Sequence, residues 1–231
     1  MSDYIFNVFR NIHKRYDLMN HLFSLNIDKL WRDEAAKKAV SLTNSNARVI
    51  DVATGTGDLA ISLYKHAKSS GKIIDIYAID INPYMLSIAK SKIAKYKYNI
   101  NIEIADAENT RYEDSYFDLL TSAFALRNFD HLDSFAEEAK RIVKDKGYVV
   151  LIDMAMPKNG LAKAFFEGYF DFIVKAGSLI NKNSYLWLTE SVRKFDVERF
   201  INILKSKGFD NISYKELLTR LTFMITARVN K

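Results

Sequence analysis

A chain of 231 residues, 48% of them hydrophobic, carries enough apolar material to bury a full core, and nothing low-complexity or repetitive divides it, so it reads as one domain over 1–231. With no cysteine and four scattered histidines (His13, His21, His66 and His131) that lack metal-ligand spacing, the composition excludes disulfides, thiolate nucleophiles and cysteine-bound zinc, and no metal is expected. The net charge is +6 and the pI near 9.2, yet the lysines are interspersed with acids and nowhere form a block of five or six, which favours a solvated surface over a nucleic-acid partner.

In chain order, residues 1–45 read as an N-terminal helical extension without an apolar signal-like run, which together with the missing cysteines fits a cytoplasmic setting. From Ala47 onward β-rich and helical runs alternate over a core spanning 46–231. Strands are expected at Arg48 to Ala53, Ile73 to Asp80, Ile100 to Ala105, Phe117 to Phe124 and Tyr148 to Met154. Between them Asp58 to Lys68, Tyr84 to Lys95 and Leu132 to Val143 carry apolar residues at three- and four-residue steps, as helices do, and Pro83 stands where its fixed φ suits a helix start.

A helical insertion is expected at about 160–195. Leu161 to Ile180 within it holds Phe165, Phe166, Tyr169, Phe170 and Phe172 on a helix whose Lys163, Glu167, Asp171 and Lys175 form one polar stripe. That stripe argues against a membrane span, and the aromatics suit either packing on the sheet or an apolar pocket or dimer face. A helix over Val197 to Lys207 capped by Gly208, then strands Asn211 to Leu218 and Leu221 to Val229, close the chain. The pattern is that of an α/β class I methyltransferase: a Rossmann-like, seven-stranded, mostly parallel sheet with an antiparallel last strand and helices on both faces.

The densest chemistry lies in Val49-Ile50-Asp51-Val52-Ala53-Thr54-Gly55-Thr56-Gly57-Asp58-Leu59, an apolar strand running through a glycine turn into a helix start. Gly55 and Gly57 let the backbone turn against a ligand, the helix start offers N–H groups, and Asp51, Thr54 and Thr56 offer polar atoms. Gly55-x-Gly57-x-x-Ala60 with Asp80 downstream is also close to the dinucleotide fingerprint. Strand-end acids Asp51 and Asp106 tip the balance, because S-adenosylmethionine brings an ammonium, a ribose diol and an adenine amine that each need an acceptor.

The run Tyr16-Asp17-Leu18-Met19-Asn20-His21-Leu22-Phe23-Ser24-Leu25-Asn26-Ile27-Asp28-Lys29-Leu30-Trp31 closely resembles the N-terminal signature of the ubiquinone/menaquinone biosynthesis C-methyltransferase family. So do Asp51 to Leu59, Phe117 to Phe124 with Leu126-Arg127-Asn128, and Tyr185-Leu186-x-Leu188-Thr189-Glu190-Ser191-Val192-Arg193-Lys194-Phe195, in the family's order. The resemblance implies methyl transfer from S-adenosylmethionine to a ring carbon of a polyprenylated quinol precursor by a homodimer. It implies donor contacts from Thr56, from Asp80 with Ile81, and from Asp106 with Ala107, while the family's donor-contacting serine is matched by Ala123. Because polyprenyl substrates live in bilayers, a transient membrane-surface contact through exposed aromatics is also expected.

A quinol carbon becomes nucleophilic as its neighbouring hydroxyl loses a proton, so the site needs a field favouring phenolate. The residues assigned to this are Arg127 for the field, Asn128 for the ring oxygen and Tyr16 over the acceptor, with Asp17, Asp130, Asp153 and His131 as candidate bases. Each has a plainer alternative: Arg127 pairing with a structural acid, Asn128 capping a turn, Tyr16 and Trp31 filling the core, His131 opening a helix. The chain departs from the family pattern at Asp28, at Asp145-Lys146-Gly147 in place of a Pro-Gly-Gly turn, at Asp153 and Ala155, and at Leu217 to Phe223. Other readings are a methyltransferase for another apolar small molecule, an RNA methyltransferase, and a non-catalytic donor-binding subunit.

Overall fold

The structure, a computed structural model, describes residues 27–231 except 159 and 219, and side chains except those of 176–184. Tyr16, Asp17, His13 and His21 lie outside the described residues. Helix α1 (Ile27–Ser41) buries Trp31, Ala35, Ala36, Ala39 and Val40, a stripe at three- and four-residue steps. The alternation then follows: β1 (Ala47–Val52), α2 (Asp58–Ser69), β2 (Ile74–Asp80), α3 (Pro83–Tyr96), β3 (Ile100–Ile104), β4 (Phe117–Ala123), a 3₁₀ turn (Leu126–Asn128), α4 (Leu132–Ile142) and β5 (Val143–Met154). The chain ends with α5 (Gly160–Lys194), α6 (Val197–Ser206), β6 (Phe209–Glu216) and β7 (Thr222–Val229).

The seven strands form one sheet in the order β3-β2-β1-β4-β5-β7-β6. Strands β1 to β5 pair in parallel, and β7 inserts antiparallel between β5 and β6. This is the sheet expected of a class I methyltransferase. Side chains alternate across it, so Val49, Leu119 and Val150 pack on one face with α1 and α2, whereas Ile50, Leu120 and Val149 pack on the other with α4 and α6. Burial on both faces is why these strands read as nearly continuous apolar runs.

Two elements differ from the sequence expectation. Strand β5 begins at Val143 rather than Tyr148, and Asp145-Lys146-Gly147 is a bulge within it rather than a turn before it. Phe117 pairs with Val143 but Leu119 with Tyr148, so three extra residues of β5 are looped out, with Lys146 at φ 61°. Gly147 is required there, since a Cβ would sit 2.7 Å from the Asp118 carbonyl oxygen.

The helical stretch expected over Leu161 to Ile180 runs from Gly160 to Lys194. Arg193 Nε donates to Glu167 Oε2 at 2.9 Å, although a straight helix would separate these residues by about 39 Å. The stretch therefore doubles back, and the polar stripe is used, with Glu167 and Asp171 both pairing Arg193. Inside the fold-back, Phe166 and Phe170 pack with Val192 and Leu221, while Phe165 and Phe172 stay exposed.

Candidate active site

The carboxyl ends of β1, β2 and β4 and the segment after β3 open onto one cleft, partly open to solvent, at the place where sheets of this topology take their ligands. Three residues of its wall take positive φ. Ala53 and Gly55 take φ values of 50° and 57°, and Phe124, just past β4, takes 61°. Non-glycine residues at positive φ cost energy and persist only where surrounding structure holds them, here by backbone bonds from Thr54 N to Ile79 O and from Phe124 N to Ile152 O.

Asp51 is fully buried at the end of β1. Its Oδ2 accepts from Thr54 Oγ1 at 2.5 Å and its Oδ1 from Thr121 Oγ1 at 2.9 Å. Burial outweighs both bonds and pushes its carboxyl up to about 7. Asp80 ties two loops together, accepting from the Gly55 and Asn82 backbone N–H groups at 2.8 Å each, and burial raises it to about 6. Asp106 accepts from the Glu108 N–H at 2.9 Å, which turns the chain after β3 so that Ala107 also faces the cleft.

Asp51, Thr54, Gly55, Thr56, Asp80, Ile81, Asp106, Ala107, Ala123 and Asn128 all line this cleft. Gly57 does not. It starts α2 at φ 83° and lies against α3, where a Cβ would meet that of Ala89 at 3.1 Å, so it sets helix packing rather than the wall. The family model of the ubiE/COQ5 methyltransferase family matches residues 1–227.

The chain belongs to the ubiE/COQ5 methyltransferase family.

Its relatives include the ubiquinone/menaquinone biosynthesis C-methyltransferases of Rickettsia prowazekii and Rickettsia bellii, each 36% identical over 91% of this chain and 86% of theirs. Two solved structures share the fold. A SAM-dependent methyltransferase from Aquifex aeolicus is similar with a TM-score of 0.62 and 21% identity over 85% of this chain and 89% of that one. A methyltransferase from Methanococcus maripaludis described as putative gives 0.67 and 22% over 95% and 92%.

Within this family member, Arg127 is not on the wall of the cleft. Its guanidinium is buried against Asp153 of β5, which also accepts from the Arg127 backbone N–H at 3.2 Å. This is the pairing with a structural acid that stood as the plainer alternative, and Asp153 is itself fully buried and outside the cleft lining. Burial raises the Asp153 carboxyl above its ordinary range while Arg127 opposes the rise. Asp130 and His131 are exposed, outside the cleft lining, and their backbone N–H groups donate to Glu108; His131 precedes α4 as its N-cap residue. Trp31 packs in the core, its ring 6.1 Å from that of Phe124.

Among the lining residues that the sequence does not mark as donor or acceptor contacts, three matter most to the site, Asn82, Phe124 and Arg32. Asn82 is the N-cap of α3, its Oδ1 accepting from the Tyr84 N–H at 2.9 Å, and its buried Nδ2 has no partner among the described residues. An Asn directly before Pro83 was the available signal. Phe124 contributes a buried ring, and Arg32 a buried guanidinium 5.0 Å above it. Asn128, which the sequence does single out, has a buried Oδ1 likewise without a partner among the described residues. Orphaned buried donors and acceptors on a cleft wall are what a polar ligand satisfies.

Proposed function

We propose that this methyltransferase moves a methyl group from S-adenosylmethionine to a ring carbon of a polyprenylated quinol precursor. The charge of the cleft carries the donor half. Asp51, Asp58, Asp80, Asp106 and Glu108 line it against a single cation among the described lining residues, Arg32. A donor with a sulfonium and an ammonium suits that wall, whereas the pyrophosphate of a dinucleotide would face like charges at close range. The acceptor half is supported by the relatives' printed activity at 36% identity.

When bound, S-adenosylmethionine supplies a methyl group on a cationic sulfur. Asp80, ending β2, is assigned to the ribose hydroxyls and Asp51 to the ammonium. Thr54 and Thr56, the Gly55 turn, Ile81, Asp106, Ala107 and Ala123 are assigned to the rest of the donor. Asn128, whose Oδ1 has no partner among the described residues, is assigned to accept from a hydroxyl of the acceptor ring and so align it. Arg127 acts as a positioning residue: by gripping Asp153 it fixes the 126–128 turn that carries Asn128. Tyr16, which lies outside the described residues, is assigned to the acceptor side on the family resemblance.

Labelled-methyl transfer from S-adenosylmethionine to reduced demethylmenaquinone and to a demethylated benzoquinol, with bulk RNA as control, tests this function. A labelled lipid-soluble product is expected. Label that appears only in RNA, or remains on the donor despite binding, overturns the acceptor half.

The same proposal includes a cytoplasmic homodimer that visits the membrane surface. Among the described residues no helix is long and apolar enough to cross a membrane. Leu161, 92% exposed, with Phe165 and Phe172 near it in sequence, offers an apolar group for a shallow contact. Flotation with liposomes and sedimentation of the free protein check the two readings.

A further inference from the structure

We propose that Arg32 receives the carboxylate of the donor's amino-acid end. This inference rests on the donor reading above and extends it to a residue that neither the glycine loop nor the strand-end acids include. S-adenosylmethionine has one anionic group, its carboxylate, and the described lining of the cleft has one cation. Lys92, on α3 near the same loop, is outside that lining and bonds Asp58 Oδ1 at 2.7 Å and Thr56 Oγ1 at 3.0 Å.

Arg32 is built as a fixed fork. It projects from α1 one turn after Asp28, whose buried carboxylate it pairs, and its guanidinium lies 5.0 Å over the Phe124 ring. An ion pair on one side and an aromatic face below orient the planar group before any ligand arrives, so little rotamer freedom is lost on binding. A guanidinium of fixed plane matches the two oxygens of a carboxylate. Arg32 is also close enough to Asp51 to draw its carboxyl downward. A cation from α1 and an anion from β1 thus face one cleft, complementary to the carboxylate and ammonium of an amino acid. On this account α1 is part of the donor site as well as a cover for the sheet.

The acid-rich wall gives the test a definite sign. Decarboxylated S-adenosylmethionine is more cationic than the donor, so without a role for Arg32 the five carboxylates would hold it more tightly. Calorimetric titration of the full chain with S-adenosylmethionine, its decarboxylated form and 5′-methylthioadenosine measures this directly. The wild-type protein is expected to bind the intact donor about 10- to 100-fold more tightly than the decarboxylated one. Arg32→Gln is expected to lose that preference while binding 5′-methylthioadenosine as the wild type does, and Arg32→Lys to restore part of it. Equal or tighter binding of the decarboxylated form by the wild type overturns the inference without any variant needing to fold. So does a preference that survives in Arg32→Gln. Failure of the wild type to bind all three overturns the donor reading itself.

Discussion

Replacing Asp51 by asparagine separates stability from donor binding, because the wild-type carboxyl sits where ionisation is costly. Its pKa rises from 3.8 to about 7, a difference worth about 4 kcal/mol. The raised value means that the folded protein holds this proton more tightly than the unfolded chain. Stability therefore falls as pH climbs from about 4 to about 7 and stays lowered above that. The amide of the variant never ionises and escapes this cost. It weakens the bonds from Thr54 and Thr121, a loss of about 1–2 kcal/mol that leaves a net gain of about 2–3 kcal/mol at pH 8. For a chain of this size the gain corresponds to a Tm about 5–10 °C higher at pH 8, whereas at pH 4, where the wild-type carboxyl is protonated in the folded protein, only the weakened bonds remain and the Tm should be a few degrees lower. Donor affinity, measured by calorimetry at pH 8, should fall about 10-fold or more as the ammonium loses its counter-charge. Thermal melts at both pH values check the stability half. A variant no more stable than wild type at pH 8, or a difference independent of pH, would refute the account of Asp51.

Gly57→Ala should cost more stability in urea melts than Gly55→Ala: both glycines have positive φ, worth about 1 kcal/mol of strain, but only at Gly57 does the new Cβ press on Ala89. Equal losses would contradict the assigned packing role. Arg127→Ala leaves Asp153 buried without its cation and should destabilise by about 3–5 kcal/mol, whereas the apolar pair Arg127→Met with Asp153→Leu should recover most of that. An Arg127→Ala protein of wild-type stability that has lost turnover would return the arginine to a direct role in the reaction. Ala123→Ser restores a hydroxyl on the cleft wall at the position where the family resemblance places a serine, and should tighten donor binding several-fold by calorimetry. Unchanged affinity would remove that position from the donor site.

What could be read from the residues was whatever depends on local pattern. Buried parallel strands, the Gly55-x-Gly57 turn, Pro83 at a helix start and the strand-end acids Asp51, Asp80 and Asp106 all follow from periodicity and backbone chemistry within short windows. Long-range partners were not readable. Arg127 looks like a catalytic cation in sequence, and only the parallel pairing of β4 with β5 brings Asp153 within its reach. Arg32 looks like a surface charge on a helix until α1 is laid across the sheet beside Phe124. The bulge in β5 escaped because Lys146 has no residue-type signal for positive φ, and the doubling back of α5 escaped because its two halves each carry ordinary helical periodicity.

The central claim, transfer of methyl to carbon, is tested most directly with S-adenosylmethionine carrying ¹³C in its methyl group, the full chain and reduced demethylmenaquinone or its benzoid counterpart. NMR of the extracted product should show the labelled methyl coupled to a ring carbon of the quinone. Label on a phenolic oxygen, or an unaltered quinol beside a donor that demonstrably binds, would contradict the account.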